Sequence, residues 1–205
     1  MRYSTLILAG ILIVVFTMQQ IFPEITETLL LNSSKTQTEP WRIFTSIFAH
    51  SGMLHILYNL FGLLLFGLIL EEKIGTKKFL LVFFLCGIAG SIAANFFYDK
   101  SLGASGAILG IIGCLAVIEP FMIVYAYYLP MPLFIAALVW AGGDVLGFII
   151  PSNIANAAHL AGLSVGITIG AMIRGKKPLF KPQKKRPNLV SEKDVEEWEK
   201  EYMKI

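Results

Sequence analysis

A serine set between small residues, at the start of an apolar stretch, is the residue of this sequence best suited to act as a nucleophile. Ser105 follows Gly103 and Ala104 and precedes Gly106. A second apolar stretch begins near His159, one of three histidines in the chain. A serine hydroxyl attacks effectively when an adjacent base accepts its proton, and histidine is the commonest such base. The two residues therefore indicate nucleophilic catalysis, provided that the elements carrying them bring the side chains together.

The composition indicates where those elements reside. The chain has 205 residues, of which 56% are hydrophobic and 15% charged, and its mean hydropathy is +0.69. Soluble domains are about 45–50% apolar and about 25% charged. Several apolar runs approach the roughly 20 residues that an α-helix needs to cross a bilayer. Because these runs are continuous, whereas barrel strands alternate, we predict an all-α polytopic membrane protein.

Charged and proline-containing segments divide the apolar sequence into six predicted membrane helices. The fourth is the shortest, so we expect it to begin inside the membrane, in the centre of the bundle. The fifth apolar run covers roughly 122–141, and its helix is expected to start after Pro132 and run toward Ile150. The other five spans are predicted at residues 4–22, 51–70, 79–97, 105–118 and 157–173.

Two regions are predicted along the chain, a six-helix membrane catalytic domain at residues 1–174 and a basic cytoplasmic tail at 175–205. The tail begins with a proline-broken run of lysines and arginine that either contacts anionic lipid headgroups or is simply solvated. A short helix after it is indicated by a capping box and by three apolar residues on one face: Ser191 to Asp194, then Val195, Trp198 and Tyr202.

The basic residues predict the orientation in the membrane. Cytoplasmic loops of membrane proteins carry an excess of Lys and Arg, and the more basic side of this chain holds both termini. We therefore predict a multi-pass protein of the cell membrane with both termini cytoplasmic and the site opening to the external side. The cytoplasmic set is Arg2, Lys73, Lys77, Lys78, Arg174 and the tail, and the external set is Lys35, Arg42 and Lys100.

The connection at residues 23–49 lies on the external side in this prediction. It carries Trp41 and Arg42 beside apolar residues, a pattern typical of a membrane interface. We predict an ordered loop that dips into lipid. His50, at the end of this loop, is interpreted as a residue that anchors it.

Four polar residues inside the predicted spans fall at one depth. Polar side chains in a membrane helix are costly and are candidates for function. Each of the four lies 12 to 16 residues from the charged cytoplasmic end of its helix, or about 18–24 Å at 1.5 Å per residue. A common level predicts one water-reachable cavity that opens outward and is lined by His55, Asn59, Ser105 and His159.

Small residues offer a way to bring two of these helices together. Gly106 and Gly110 are four residues apart, as are Gly162 and Gly166, and such faces let helices approach closely in lipid. The nucleophile would open its helix, where free backbone N–H groups stabilise an oxyanion.

His55 and Asn59 share a helix face and are candidate additional oxyanion donors. Asp144 lies on the correct side to orient His159, but in an ill-defined segment, so a Ser–His dyad is predicted. Mid-depth acidic or basic residues are not expected in the spans.

The sequence contains no metal-ligand cluster, phosphate-binding glycine loop or nucleic-acid motif, so we predict no metal, no cofactor and no nucleic-acid partner. Cys86 and Cys114 lie within apolar runs. We interpret them as small packed residues.

These residues resemble the rhomboid family of intramembrane serine proteases. The resemblance rests on four motifs in the family's order, which together cover residues 1–174. They are Trp41-Arg42, the His-x-x-x-Asn of His55 to Asn59, the Gly-x-Ser-Gly of Gly103 to Gly106, and the Ala-His-x-x-Gly-x-x-x-Gly of Ala158 to Gly166.

The resemblance implies a six-helix fold and hydrolysis of peptide bonds within the membrane, without a cofactor. It implies Ser105 as nucleophile and His159 as general base and acid. The oxyanion site would comprise Asn59, His55 and the Ser105 backbone N–H, with Gly103 assigned to the same site.

Substrates of such a family are transmembrane proteins, here expected to be single-span, which are cut near the outer face and enter past the fifth helix. One departure from the family pattern is Leu109, where many members carry an aromatic that stacks on the histidine.

Two other functions fit parts of the sequence. A catalytically silent rhomboid-like scaffold would bind membrane helices, but it would be expected to lack the serine or the histidine. A small transporter or proton pathway would use the same polar layer and predicts charge within the helices.

Overall fold

The computed structural model describes residues 3–148, 150, 154–175 and 192–203. Two compact units are distinguished, Met1–Gly175 and Lys176–Ile205. Apolar helices dominate the first unit, as the predicted all-α polytopic architecture requires. Arg2, the basic run after Gly175 and Ser191 lie outside the described residues.

The helices of the first unit follow the apolar runs. α4 and α5 are continuous through a π-helical turn at Leu63–Gly67. The helices are α1 (Ser4–Ile21), α2 (Glu24–Leu29), α3 (Arg42–Thr45), α4 (Met53–Gly62), α5 (Leu68–Ile74), α6 (Thr76–Phe97), α7 (Ser105–Ile118), α8 (Leu133–Leu146) and α9 (Asn156–Arg174).

Four of these segments are long and apolar enough to cross a membrane. They are Ser4–Ile21, Met53–Ile74, Thr76–Phe97 and Asn156–Arg174. The remaining apolar helices, α7 and α8, have 14 residues each.

The second predicted span ends four residues too early at residue 70. The helix continues because Glu71 is buried and accepts hydrogen bonds from the Ser4 and Thr5 backbone N–H groups and from the Thr5 and Thr76 hydroxyls. A carboxylate that is satisfied in this way need not mark the end of a span.

The packing of the first unit is organised around α7. Most of its residues are buried, and it contacts α6, α8 and α9. Close approach is possible because the contacting residues are small. A Cβ at Gly162 would overlap the Gly106 carbonyl oxygen, and one at Gly166 would overlap the Gly110 carbonyl oxygen.

The loop at residues 23–49 is ordered by local structure and by one buried side chain. It holds α2, α3 and the strand β1 (Leu31–Asn32), which pairs with β2 (Lys100–Ser101). Arg42 is buried and donates to the carbonyl oxygens of Glu27 and Leu30 at 2.6 and 2.8 Å, besides its ion pair with Glu39. The Arg42 side chain therefore ties the loop together internally, while Trp41 beside it is exposed.

A β-hairpin between α7 and α8 was not predicted. β3 (Ile123–Ala126) pairs antiparallel with β4 (Leu129–Pro132). The turn residues Tyr127 and Tyr128 both have positive φ, 52° and 65°. The prolines of β4 are compatible with a two-stranded hairpin, because each strand of such a pair has a free edge.

Contacts at the two ends of the helices are consistent with the predicted grouping of loops. At one end Lys100 pairs with Glu27 at 3.0 Å. At the other, Lys73 pairs with Glu119 at 2.8 Å, and Arg174 donates to the Val117 carbonyl oxygen. The loops predicted to share a side of the membrane thus lie at the same end.

In the second unit the described residues form one helix, α10 (Glu192–Tyr202). Val195, Trp198 and Tyr202 are all exposed, and the Trp198 and Tyr202 rings stack with centroids 5.8 Å apart.

Candidate active site

The two residues singled out for nucleophilic chemistry are in direct contact. The Ser105 Oγ lies 2.8 Å from the His159 Nε2. Ser105 is the first residue of α7, and His159 lies in the first turn of α9. The glycine-mediated approach of these helices brings the hydroxyl within hydrogen-bonding distance of the imidazole, as proton transfer requires.

An aspartate completes this chain of hydrogen bonds on the far side of the imidazole. The Asp144 Oδ1 lies 2.9 Å from the His159 Nδ1. Asp144 is buried and lies within α8. The placement of Asp144 in an ill-defined segment is therefore wrong. The sequence did contain a signal for this contact, because Asp144 stands within an apolar run. An acid in a membrane helix is costly unless it has a partner.

The residues before Ser105 form a turn that depends on glycine. Gly103 has φ +124°, and a Cβ there would stand 2.8 Å from both Cε1 and Nε2 of His55. Its N–H donates to the Ser46 carbonyl oxygen at 2.9 Å. Gly103 thus contributes the space that admits the His55 ring, while its N–H is already used. The Ser105 N–H, at the first position of α7, has no acceptor within the helix.

Hydrogen bonding fixes the proton position on His55. The Ser51 N–H, which can only donate, points at the His55 Nδ1 at 3.4 Å, and the Ser51 Oγ lies 2.9 Å from the same atom. The Nδ1 therefore accepts, and the ring proton resides on Nε2. That nitrogen faces Gly103 and is a donor beside the turn that precedes Ser105.

Asn59 lies one turn along the same helix face as His55, but its amide is directed at its own helix. Its Nδ2 donates to the His55 carbonyl oxygen at 2.8 Å, and its side chain is buried. Its Oδ1 has no partner among the described residues. No hydrogen bond between described residues joins Asn59 to Ser105, so of the four polar residues it is the least closely connected to the pair.

His50 anchors the loop, consistent with its interpretation from the sequence. Its backbone N–H and carbonyl are both bound by the Gln19 side chain, at 3.0 and 3.2 Å. Its ring Nδ1 lies 3.2 Å from the Phe48 carbonyl oxygen. Burial, with a smaller effect from His55, lowers the pKa of His50 from 6.5 to about 4. The ring is therefore neutral at physiological pH.

A small cavity of about 20 Å³ lies beside Ser105. Its lining includes the hydroxyl-bearing residues Ser46, Ser91, Ser101 and Ser105. This volume is enough for about one water molecule, and hydroxyls are suitable partners for it.

Leu109 and the two cysteines take part in hydrophobic packing. Leu109 is part of the hydrophobic packing around the core. Cys86 and Cys114 are free and buried. Within the described ranges, no group of three His, Cys, Asp or Glu side chains could hold a metal ion.

Comparison with known proteins places this chain in a family. Residues 37–176 match the family model described as the Rhomboid domain. Similar curated proteins include RHOMBOID-like protein 6, mitochondrial, of Arabidopsis thaliana, with 33% identity over 71% of this chain and 46% of that protein. Rhomboid protease GluP of Bacillus subtilis is 33% identical over 72% of this chain and 30% of its own length.

A third similar protein is Rhomboid protease GlpG of Haemophilus influenzae, with 28% identity over 81% of this chain and 88% of that protein. The chain therefore spans less than half the length of the first two relatives and most of the third.

Proposed function

The chain belongs to the rhomboid family, and from that premise we propose that it is an intramembrane serine endopeptidase. It is a multi-pass membrane protein, and in this proposal α7 and α8 complete a six-helix bundle with the four longer spans. The observation that carries the proposal is the 2.8 Å contact between the Ser105 Oγ and the His159 Nε2.

The reaction begins with proton transfer from serine to histidine. As the Ser105 Oγ attacks the scissile carbonyl carbon, the His159 Nε2 accepts the hydroxyl proton. The imidazolium then donates that proton to the leaving amine, and an acyl-enzyme remains. A water molecule, deprotonated by the same nitrogen, hydrolyses the ester and regenerates Ser105. The cavity beside Ser105 is a suitable place for this water to approach.

The oxyanion of the tetrahedral intermediate requires donors that are in place beforehand. We assign this role to the Ser105 backbone N–H and to the His55 Nε2–H, which faces the turn before Ser105. Asn59 retains one amide hydrogen beyond the one that it donates to His55, and we include it as a third donor. Gly103 acts here by its lack of a side chain.

Single-span membrane proteins, cleaved near the outer membrane face, are the proposed substrates. Both termini are cytoplasmic in this proposal, and the loop carrying Trp41 contacts the outer lipid layer. The exposed Trp41 ring supports that contact, because tryptophan is favoured at membrane interfaces. The basic tail contacts anionic lipid on the opposite side.

The first prediction concerns the two reacting side chains. In detergent, a fluorophosphonate probe should label the wild-type protein, and a panel of single-span proteins should contain one that it cleaves. We expect both signals to disappear in Ser105→Ala and in His159→Ala, because each change removes one partner of the proton transfer.

A matched control is Ser164→Ala, which removes an exposed α9 hydroxyl that donates to the Leu160 carbonyl oxygen of its own helix. It should keep both signals. Equal labelling of all four proteins would refute the protease proposal, and absence of any labelling or cleavage in folded wild type would favour a helix-binding scaffold.

A further inference from the structure

The third member of the hydrogen-bonded chain at the site is an aspartate carried by α8. Its Oδ1 lies 2.9 Å from the His159 Nδ1, and both side chains are largely buried. The opposite nitrogen of the same ring contacts the Ser105 Oγ. The imidazole is therefore held at both of its nitrogens, by side chains from two other helices.

The surroundings of Asp144 are those of a residue placed for a specific contact. Between Leu138 and Leu146 it is the one buried residue, whereas Leu138, Val145 and Leu146 are more than half exposed. The exposed apolar residues around Asp144 would face lipid, where a carboxylate is strongly disfavoured. Asp144 faces the bundle instead, where a buried carboxylate is also costly unless it is paired.

We propose that Asp144 is a positioning residue that holds His159 in the tautomer and orientation needed to deprotonate Ser105. This inference rests on the proposed protease function and extends the Ser–His pair to an Asp–His–Ser chain. A carboxylate only accepts hydrogen bonds, so its contact with Nδ1 places the ring proton there. The Nε2 is then left with a lone pair directed at the Ser105 hydroxyl.

The same contact acts again after proton transfer. The imidazolium carries a positive charge in a poorly solvated site, and the Asp144 carboxylate is within hydrogen-bonding distance of it. A partner of this kind orients the ring and stabilises the charged form without accepting the proton. The Asp144 contact also holds the His159 ring in place in a chain that has Leu109, not an aromatic residue, at the position where many family members stack a ring on the histidine.

The alternative role of Asp144 is purely structural, as the contact that fastens the outer half of α8 to the bundle. The two roles differ in what they predict for Asp144→Asn, which keeps the size of the side chain and can still hydrogen-bond to Nδ1. If Asp144 only keeps α8 packed, kcat should survive this change. A positioning role requires kcat to fall as the proton of neutral His159 moves off Nδ1.

The test combines steady-state kinetics with ¹⁵N-histidine NMR on the full chain in detergent. The chain has three histidines, so the His159 signals are identified by their absence from His159→Ala. In wild type we expect neutral His159 with the proton on Nδ1. In Asp144→Asn the amide can donate to Nδ1, and we expect the proton to shift to Nε2. Asp144→Glu should keep the wild-type tautomer.

The kinetic expectation follows from the tautomer. In a soluble serine protease the equivalent change to asparagine lowers kcat by about 10⁴. Here we expect at least a tenfold loss of kcat in Asp144→Asn with KM within about twofold, and partial recovery in Asp144→Glu. Asp99→Asn makes the same chemical change at an exposed position, and it should leave kcat, KM and all three histidine signals unchanged.

Two results would overturn the proposal, and the first can be obtained whether or not the protease function holds. One is a wild-type spectrum with neutral His159 protonated on Nε2, which is measurable even if the variants fail to fold. The other is a folded Asp144→Asn with kcat within twofold of wild type. Failure of the protease proposal would instead appear as undiminished activity in Ser105→Ala.

Discussion

At the residue scale, the chemistry depends on which nitrogen of each histidine carries a proton. His55 receives the Ser51 N–H at Nδ1 and so presents a donor at Nε2. His159 contacts a carboxylate at Nδ1 and so presents an acceptor at Nε2. In the proposed mechanism the hydrogen-bond partners of the two imidazoles therefore give them opposite roles. The His55 Nε2 is a donor and the His159 Nε2 is an acceptor, and both face the region around Ser105.

The proposed role of Asn59 as an oxyanion donor can be tested by a single substitution. Loss of one oxyanion donor typically lowers kcat by about 10²–10³. Since the Asn59 amide also donates to its own helix, we expect a smaller loss of about tenfold or more in Asn59→Ala, with KM unchanged. Folding should persist, because the change also removes a buried acceptor that has no partner in the described part of the chain. Steady-state cleavage and thermal unfolding in detergent test this.

Asn95→Ala serves as the control, because this asparagine accepts from Thr36 in the loop at residues 23–49. Among the described residues it has no hydrogen bond to the candidate site. Turnover equal to wild type in Asn59→Ala would show that Asn59 is a structural residue.

At the element scale, the site exists because α7 and α9 approach more closely than side chains would allow. Ser105 and His159 belong to different helices, so their 2.8 Å contact depends on the distance between α7 and α9. Gly106 with Gly162, and Gly110 with Gly166, set that distance through backbone contacts. The four packing glycines therefore position the Ser105–His159 pair, which lies at one end of the contact between α7 and α9.

Gly162→Ala tests this coupling. The added methyl group would overlap the Gly106 carbonyl oxygen, so the helices must separate or shift. Overpacking of this kind costs about 1–3 kcal/mol, and we expect a lower thermal midpoint together with reduced kcat. Gly142→Ala is the matched control, because a Cβ there meets nothing within 4 Å. It should be neutral or slightly stabilising, since alanine favours helix. Wild-type behaviour of Gly162→Ala would show that the close approach is dispensable.

At the scale of the whole molecule, two sets of charges mark the opposite ends of the helices. Lys100 and Glu27 pair at the end near the β1–β2 ladder, and Lys73 and Glu119 pair at the other. The structure defines the two ends, and the distribution of Lys and Arg predicts which of them faces the cytoplasm.

A pair of cysteine substitutions tests that orientation. Lys35 and Lys77 are exposed and lie at opposite ends of the bundle, while the native cysteines are buried. In intact cells we expect a membrane-impermeant maleimide to label Lys35→Cys but not Lys77→Cys, and to label both after lysis. Wild type should stay unlabelled. The reverse pattern in intact cells would place the candidate site on the cytoplasmic side.

Much of this protein was predictable because the relevant information is local in the sequence. Runs of apolar residues locate the spans, since each must match the thickness of a bilayer. The predicted fourth helix has the same bounds as α7. The common level predicted for His55, Asn59, Ser105 and His159 follows from the constant rise of a helix, and the approach of Ser105 to His159 follows from the glycine spacing.

Only the tertiary structure decided the features that depend on distances between elements. No pattern within α8 shows which helix its aspartate faces, so the Asp144 contact with His159 could not be derived. For the same reason the sequence does not show that the Arg42 side chain turns inward to the carbonyl oxygens of Glu27 and Leu30. Nor does it show that Gly103 makes room for the His55 ring while its N–H is bound by Ser46. Hydropathy and helical spacing determine which residues share a level and a face. The partner of each polar group is decided by how the elements pack, because a hydrogen bond forms only across a fixed distance of about 3 Å.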